Sequence, residues 1–478
     1  MYKPLLLLLW LLPACAPAQS NLAQKIDQVE RNLLPKIKIA GEPANTYTIQ
    51  ERMAHYQVPG VSIAVLNNGQ IEWAKGYGFT GQDSLRRITP KTLFQAASIS
   101  KPVAALAALL LVEEGKIGLD QDVNTYLKTW KVPENAFTEK EKVTLRRLLT
   151  HTAGLTVHGF RGYALGEKIP TSRQILNGEP PANSAKIFPD TFPGAIWRYS
   201  GGGYTVMQQL VADVSGIPFP EFMEARVLKK IGMKNSAYYQ PLPFLLRSRA
   251  SLGHRSDGKK VTGDWHTYPE MAAAGLWTTP TDLLKYAMAV QNMGGDNPKG
   301  LLSKETAGKM LSKDKSNWGL GPSLSGEGKD LLFSHGGSNE GFKCAFFAFA
   351  YKGQGVAVMT NGDGGSALVE EIFRSVSRVY GWNTHSQEEK TLLPLSSDSL
   401  LVYEGRYRLN DDMYADVKVE GKLLALHPSW DPEKVLLYPE KKDLFFSMTI
   451  PGPFIFLRDP NNRIMGMFNR GTQLKKEP

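Results

Sequence analysis

Eleven consecutive residues, Pro102 to Val112, carry no polar side chain, and Glu113-Glu114-Gly115 closes the run. At about 1.5 Å per residue such a helix is roughly 16 Å long, about half of the ~30 Å hydrocarbon core of a bilayer. A helix that is apolar on every face and too short to cross a membrane has to be enclosed by other elements. The chain therefore needs a core large enough to wrap a helix completely. Ser98-Ile-Ser-Lys101 stands at the start of that helix.

A serine and a lysine three residues apart share one helix face, so the Lys101 amine can reach the Ser98 hydroxyl. Serine becomes a useful nucleophile once a base takes its proton. Lysine serves as that base when burial lowers its pKa, and the start of an apolar helix offers such burial. Free backbone N–H groups of the first turn add donors for the oxygen of a reacting carbonyl. Pro102 is tolerated there because those N–H groups lack intrahelical partners anyway. The spacing alone is weak, since Ser-x-x-Lys recurs at Ser256 and Ser312. Both repeats lie in polar, Gly- and Lys-rich text, where a capping serine and a surface lysine are expected. Only Ser98 has a buried helix behind it.

The 478 residues suffice for about three domain-equivalents, or one large unit with an appendage. A content of 42% hydrophobic and 21% charged residues excludes intrinsic disorder and a disulfide scaffold. The formal charge of +10 is spread without a basic run, so no nucleic-acid footprint is present. Helical spacing is read at Leu22–Leu34, Leu145–Thr150, Tyr204–Ser215, Pro280–Met293 and Ala367–Tyr380. Val61–Leu66 and Ile71–Tyr77 flank Asn67-Asn-Gly-Gln70 as a β-hairpin, and Phe342–Tyr351 with Gly355–Thr360 reads as a second strand pair. This is an α+β plan, an antiparallel sheet covered by helices. Residues 384–399 read as a polar linker. Residues 400–478 read as six short strands without helical period, a small antiparallel sandwich or lipocalin-like barrel able to fold apart. Its aromatics (Tyr403, Tyr407, Phe445, Phe446, Phe454 and Phe456) read as its own core.

Lys3, the apolar Leu5–Leu12 and Ala16-Pro-Ala18 form a secretory leader spanning residues 1–18, which places the mature protein in the periplasm or outside the cell. Leu12-Pro-Ala-Cys15 also resembles a lipobox, which would make Cys15 a lipid anchor. Cys344, the other cysteine, lies in apolar text and reads as a small buried hydrophobe. The eight histidines show no zinc-ligand spacing, so no metal is expected. His151 reads as a structural residue at a helix end.

Phe94-Gln-Ala-Ala-Ser98-Ile-Ser-Lys101-Pro102, Leu148-Leu-Thr-His-Thr-Ala-Gly-Leu155 and His335-Gly336-Gly337 together resemble the serine β-lactamase-related hydrolases. That group includes class C β-lactamases, D-alanyl-D-alanine carboxypeptidases and related esterases. Gly232-Met-Lys-Asn235, Ala274–Asp282 and Trp318-Gly-Leu-Gly321 follow in the family's order, across about residues 40 to 382. The resemblance implies a β-lactamase/transpeptidase-like sheet flanked by helices with an all-helical lobe, within a hydrolase domain of residues 19–383. It implies that Ser98 is acylated, that Lys101 is its proton partner, and that Tyr199 shuttles a proton between Ser98 and the leaving group. The oxyanion hole would be the N–H groups of Ser98 and Ser338. Gly337 would let substrate approach a strand edge, Gly336 would lie with it among the substrate-binding residues, and His335, in place of the family's lysine, would set a weaker, pH-dependent charge opposite a substrate carboxylate. Gly201 stands where the family carries an asparagine that holds the substrate amide, which weakens the expectation of β-lactam and peptide recognition but not of acyl transfer.

The reading is an exported serine hydrolase acting on D-amino-acid peptides, β-lactams or small esters and amides, with no cofactor. Peptidase- or esterase-like activity ranks above efficient β-lactam hydrolysis. The competing reading is a penicillin-binding-like ligand sensor that has lost turnover, favoured by Gly201 alone. For the C-terminal module two roles stay open, capping the active-site entrance or homo-oligomerisation.

Overall fold

The computed structural model describes residues 16–81, 85–294 and 300–477. The leader through Cys15 lies outside these residues. The chain divides into two compact units, Ile49–Val369 and a second one made of Met1–Thr48 with Glu370–Pro478.

The first unit is built on a six-stranded sheet: β1 (Gly60–Asn67), β2 (Gln70–Gly78), β3 (Ser323–Ser325), β4 (Leu332–Asn339), β5 (Phe342–Phe349) and β6 (Gly355–Thr360). Its order is β2-β1-β6-β5-β4-β3, and every neighbouring pair is antiparallel. The β1–β2 turn is the expected one. Asn68 and Gly69 both take positive φ (51° and 72°), the geometry whose twist matches the flanking strands.

Helix α1 (Ser100–Glu113) is buried from Ser100 to Leu111, as its unbroken apolar text requires. Around it lie α2 (Gly201–Ser215) and α3 (Met271–Ala274), while α4 (Pro280–Gly294) covers β1 and β6. Ser200 caps α2 by accepting the Gly203 N–H at 3.0 Å, and Gly216, at φ 71°, ends it in the left-handed region. The polar expectations for Ser256 and Ser312 hold: both are exposed, Lys259 pairs with Asp257, and the Lys315 amine donates to the Ala195 carbonyl.

In the second unit the first helix runs Ala16–Arg31 rather than to Leu34. Pro35 disfavours helical backbone at Leu34, and Leu33 instead bridges to Tyr47. The stretch 384–399 is not a bare linker, because Glu388–Lys390 pairs in parallel with Ile37–Ile39. Eight strands from Gly405–Arg408 to Thr472–Lys476 then close an up-and-down antiparallel barrel. Six of them were legible in the text; Ile464–Asn469 and Thr472–Lys476 close the ring. Tyr403, Tyr407, Phe445, Phe454 and Phe456 fill the barrel core, and Phe446 stacks on Tyr438 at 5.4 Å.

Candidate active site

All of the candidate residues lie in the first unit. Ser98 occupies a 3-10 turn, Ala97–Ile99, that runs directly into α1. Ala97 is buried with φ 48°, a costly conformation for a residue with a Cβ. It persists because its surroundings fix it. The Ala96 N–H donates to Leu276 O at 2.8 Å, and the Ser100 hydroxyl donates to Ala97 O at 2.5 Å while accepting the Leu276 N–H at 2.9 Å. Cys344 is buried as expected, and its thiol donates to Ala96 O at 3.2 Å. Burial pushes that thiol's pKa up, away from reactivity.

The Lys101 amine donates to Ser98 Oγ at 3.0 Å and to Ala273 O on α3 at 2.8 Å. Only 2% of Lys101 is exposed, and burial lowers its pKa to about 7. Near neutrality much of the amine is therefore a free base, in contact with the serine hydroxyl. Tyr199 sits one residue before the α2 cap, its ring 4.9 Å from the Lys101 amine. Burial raises its phenol to about 12, and contact with the Ser98 side chain opposes that rise. The phenol keeps its proton across the neutral range.

Strand β4 passes Ser98 closely enough to demand glycine. A Cβ on Gly337 would lie 2.2 Å from Ala96 O. Pairing with β3 ends at Ser334, so Gly336, Gly337 and Ser338 continue along β4 past β3, with Gly336 and Ser338 exposed. His335 departs from the expectation of a charged side chain. Its Nδ1 lies 2.6 Å from the Gly336 carbonyl, which can only accept, so Nδ1 carries the proton. Its Nε2 is buried without a partner. Burial, and then the Lys101 charge, push its pKa down to about 3, so the ring is neutral.

Gly201 opens α2 and donates its N–H to His158 O at 2.9 Å. A Cβ there would meet Phe160 Cε2 at 3.0 Å and His158 O at 3.1 Å. Both contacts are tight, so a side chain at this position would require Phe160 and the His158 carbonyl to give by a few tenths of an ångström.

His151, read from the sequence as a structural residue at a helix end, stands at one and lies against the site. Its ring lies 4.2 Å from that of Tyr199, its Nδ1 accepts the Ser200 N–H at 3.1 Å, and its backbone is left-handed at φ 60°. Its Nε2 is buried without a partner, and burial and Lys101 hold its pKa well below the ordinary value. The signal was present in the matched Leu148–Leu155 stretch. Just ahead of α3 the Glu270 carboxyl is buried, and burial pushes its pKa up to about 8 against the opposing pull of its own backbone N–H and the Tyr163 hydroxyl. Trp318 completes the surroundings, with ring centroids 5.0, 5.5 and 5.9 Å from His151, His335 and Tyr199. Among the described residues no group of three His, Cys, Asp or Glu is placed to hold a metal ion.

A serine in contact with a buried amine and a half-buried tyrosine, on an α+β fold with one helix enclosed, is the arrangement of a β-lactamase-like serine hydrolase. The Beta-lactamase family model matches residues 46–378, and the chain belongs to that family. PbpX of Bacillus subtilis (strain 168), a protein named for penicillin binding, is 25% identical over 235 residues, covering 47% of this chain and 53% of the relative. Protein flp of Staphylococcus aureus (strain MW2) is 23% identical over 330 residues, covering 66% of this chain and 61% of the relative. The chain thus spans between half and two thirds of these relatives' lengths. The octameric penicillin-binding protein homologue from Pyrococcus abyssi shares the fold, with TM-score 0.60 and 23% identity over 90% of this chain and 98% of that one. SurE, solved with D-Leu, also shares it, with TM-score 0.54 and 20% identity over 90% of this chain and 97% of that one.

Proposed function

We propose that the protein is an exported hydrolase that forms an acyl-enzyme on Ser98, with carboxypeptidase- or esterase-like activity on D-amino-acid peptides or small esters and amides, ahead of efficient β-lactam hydrolysis. The observation that carries this reading is the 3.0 Å contact between the Lys101 amine, its pKa lowered to about 7, and Ser98 Oγ.

In this mechanism the neutral Lys101 amine takes the Ser98 proton as Oγ bonds to the substrate carbonyl carbon. The N–H groups of Ser98 and Ser338 hold the oxyanion. Collapse breaks the bond to the leaving group, which receives a proton through Tyr199. Water then attacks the ester on Ser98, giving up a proton to the same Lys101–Tyr199 pair and releasing the acid. No cofactor enters. The leader supports export, to the periplasm or beyond the cell, with Cys15 as the lipid-anchor candidate. The octameric homologue gives self-association a precedent of fold only.

The competing reading, a ligand sensor without turnover, draws on Gly201 alone, which brings no side chain to the position where the family's asparagine stands. Labelling with a fluorophosphonate and with a fluorescent penicillin, followed in wild type and Ser98→Ala, decides between the readings. Turnover predicts labelling, release of product from ester or peptide, and loss of both in Ser98→Ala, with kcat down by on the order of 10³ or more. Stable labelling without product from any of these substrates favours the sensor. Near-normal turnover in Ser98→Ala rules out the mechanism.

A further inference from the structure

One face of the site would meet a substrate's charge and another its side chain, and the residues on each point to the kind of substrate. His335 occupies the position at which the resembling enzymes present a basic side chain to a substrate carboxylate. Here the ring is 6% exposed, and its one N–H is committed to its own strand. Its neutral state follows from burial and from the neighbouring amine. Two cations near Tyr199 in the chain and on the facing loop are also committed. Arg198 pairs with Asp190 and donates to Gly154 O, and Lys315 donates to backbone carbonyls of the 194–195 turn. His335, Arg198 and Lys315 are thus not available to pair with a carboxylate entering beside Ser98, which would lose its water.

Aromatic surface is plentiful instead. Trp197 stands two residues before Tyr199, is 37% exposed, and meets Trp318 at 5.5 Å. Trp318 in turn lies against Tyr199 and His335. Phe192 and Ile196, in the same segment, are 52% and 48% exposed. On the other side of Tyr199, the His158 ring lies at 5.0 Å, and Phe160 occupies the space beside Gly201. Exposed aromatic rings beside a nucleophile form a surface for stacking a flat or apolar group.

We infer that the site takes uncharged acyl donors, esters or amides without a carboxylate next to the scissile bond, that carry an aromatic or apolar group packed on Trp197 and Trp318, with Trp197 the specificity-determining residue. This rests on the acyl-enzyme reading above and, within it, selects esterase- or amidase-like activity over the carboxypeptidase-like one.

The test uses the full chain, with active sites counted by fluorophosphonate labelling. Two matched pairs are compared: p-nitrophenyl phenylacetate against p-nitrophenyl acetate, and a D-alanyl-D-alanine peptide against its C-terminal amide. The expected result is preference for the phenylacetate and for the amide. Trp197→Ala should lower the phenylacetate-to-acetate ratio of kcat/KM by roughly tenfold, and Trp197→Phe should restore most of it. Each variant is rated per labelled site, so a folding loss does not register as a specificity change. Preference for the free carboxylate, or an unchanged ratio in Trp197→Ala, overturns the inference and leaves the Ser98 reading standing. Failure of wild type to label overturns that reading, and the inference with it.

Discussion

In the C-terminal barrel each buried tyrosine hydroxyl is matched: Tyr407 donates to Tyr403 O at 2.6 Å, and Tyr403 donates to Asp443 at 2.8 Å. Around Ser98 the pattern reverses. His151 and His335 each bury a ring nitrogen without a partner, and Lys101 is enclosed at 2% exposure. Backbone strain divides the same way. The barrel's positive-φ residues other than glycine, Asp443, Asn462 and Arg470, lie in turns between strands, whereas Ala97 and His151 are buried beside the candidate nucleophile. The barrel's buried polar groups are chosen for stability. The Ser98 region gives up stability to hold the Lys101 amine largely uncharged near neutrality, where water would keep it protonated, beside two imidazoles held neutral even in acid.

This contrast predicts opposite responses to substitution. The largest effect belongs to Lys101→Met, which should lower the rate of Ser98 acylation by on the order of 10³. Its melting temperature should hold or rise, and the gain should be greatest at acidic pH. The sign follows from the shift. Folded Lys101 titrates near 7 against 10.5 unfolded, so the penalty for the buried charge is full below about 7 and fades as pH climbs toward 10.5. A large loss of stability at pH 6 would break the contrast.

Tyr199→Phe keeps the ring and removes the hydroxyl, so activity should fall by roughly 10² or more with the melt little changed. Circular dichroism melts alongside kcat separate a lost proton carrier from a lost fold. His151→Phe keeps a ring against Tyr199 but leaves the Ser200 N–H unpaired, which costs about 1–3 kcal/mol of stability. A reduced kcat with an unmoved pH profile would mark it as a positioning residue for Tyr199. In the barrel, Phe456→Ala should cost about 3–5 kcal/mol by leaving a cavity, while labelling per folded molecule stays at the wild-type rate. A labelling defect there would place part of the active site beyond residue 400.

The sequence made the first layer of this legible. The enclosed helix, the Asn68-Gly69 hairpin and the Ser98–Lys101 pair are local patterns, fixed by period, turn chemistry and spacing. What escaped depended on distant chain. Residues 332–339 gave no strand signal of their own because Gly336 and Gly337 have no side chains to alternate, and their place is set by β5 and by the Ala96 carbonyl. His335 was expected to charge with pH because its residue type titrates near neutrality; its neutrality comes from enclosure, which composition does not report. His151 looked like a helix end, and it is one, yet the left-handed turn at that end swings it onto Tyr199. The last two barrel strands were missed because Met465 is exposed and Gly471 is a turn, leaving too short an alternation to read.

The most direct test of the central claim is the rate of Ser98 labelling by a fluorophosphonate, followed from pH 5 to pH 11 in the full chain. A base buried as Lys101 is predicts a rate that climbs through a single limb centred near 7 and levels off above it, with no step near 6.5 from His335 or His151. A rate that stays low through pH 8 and climbs only near 10.5, where a solvated lysine titrates, would contradict the account.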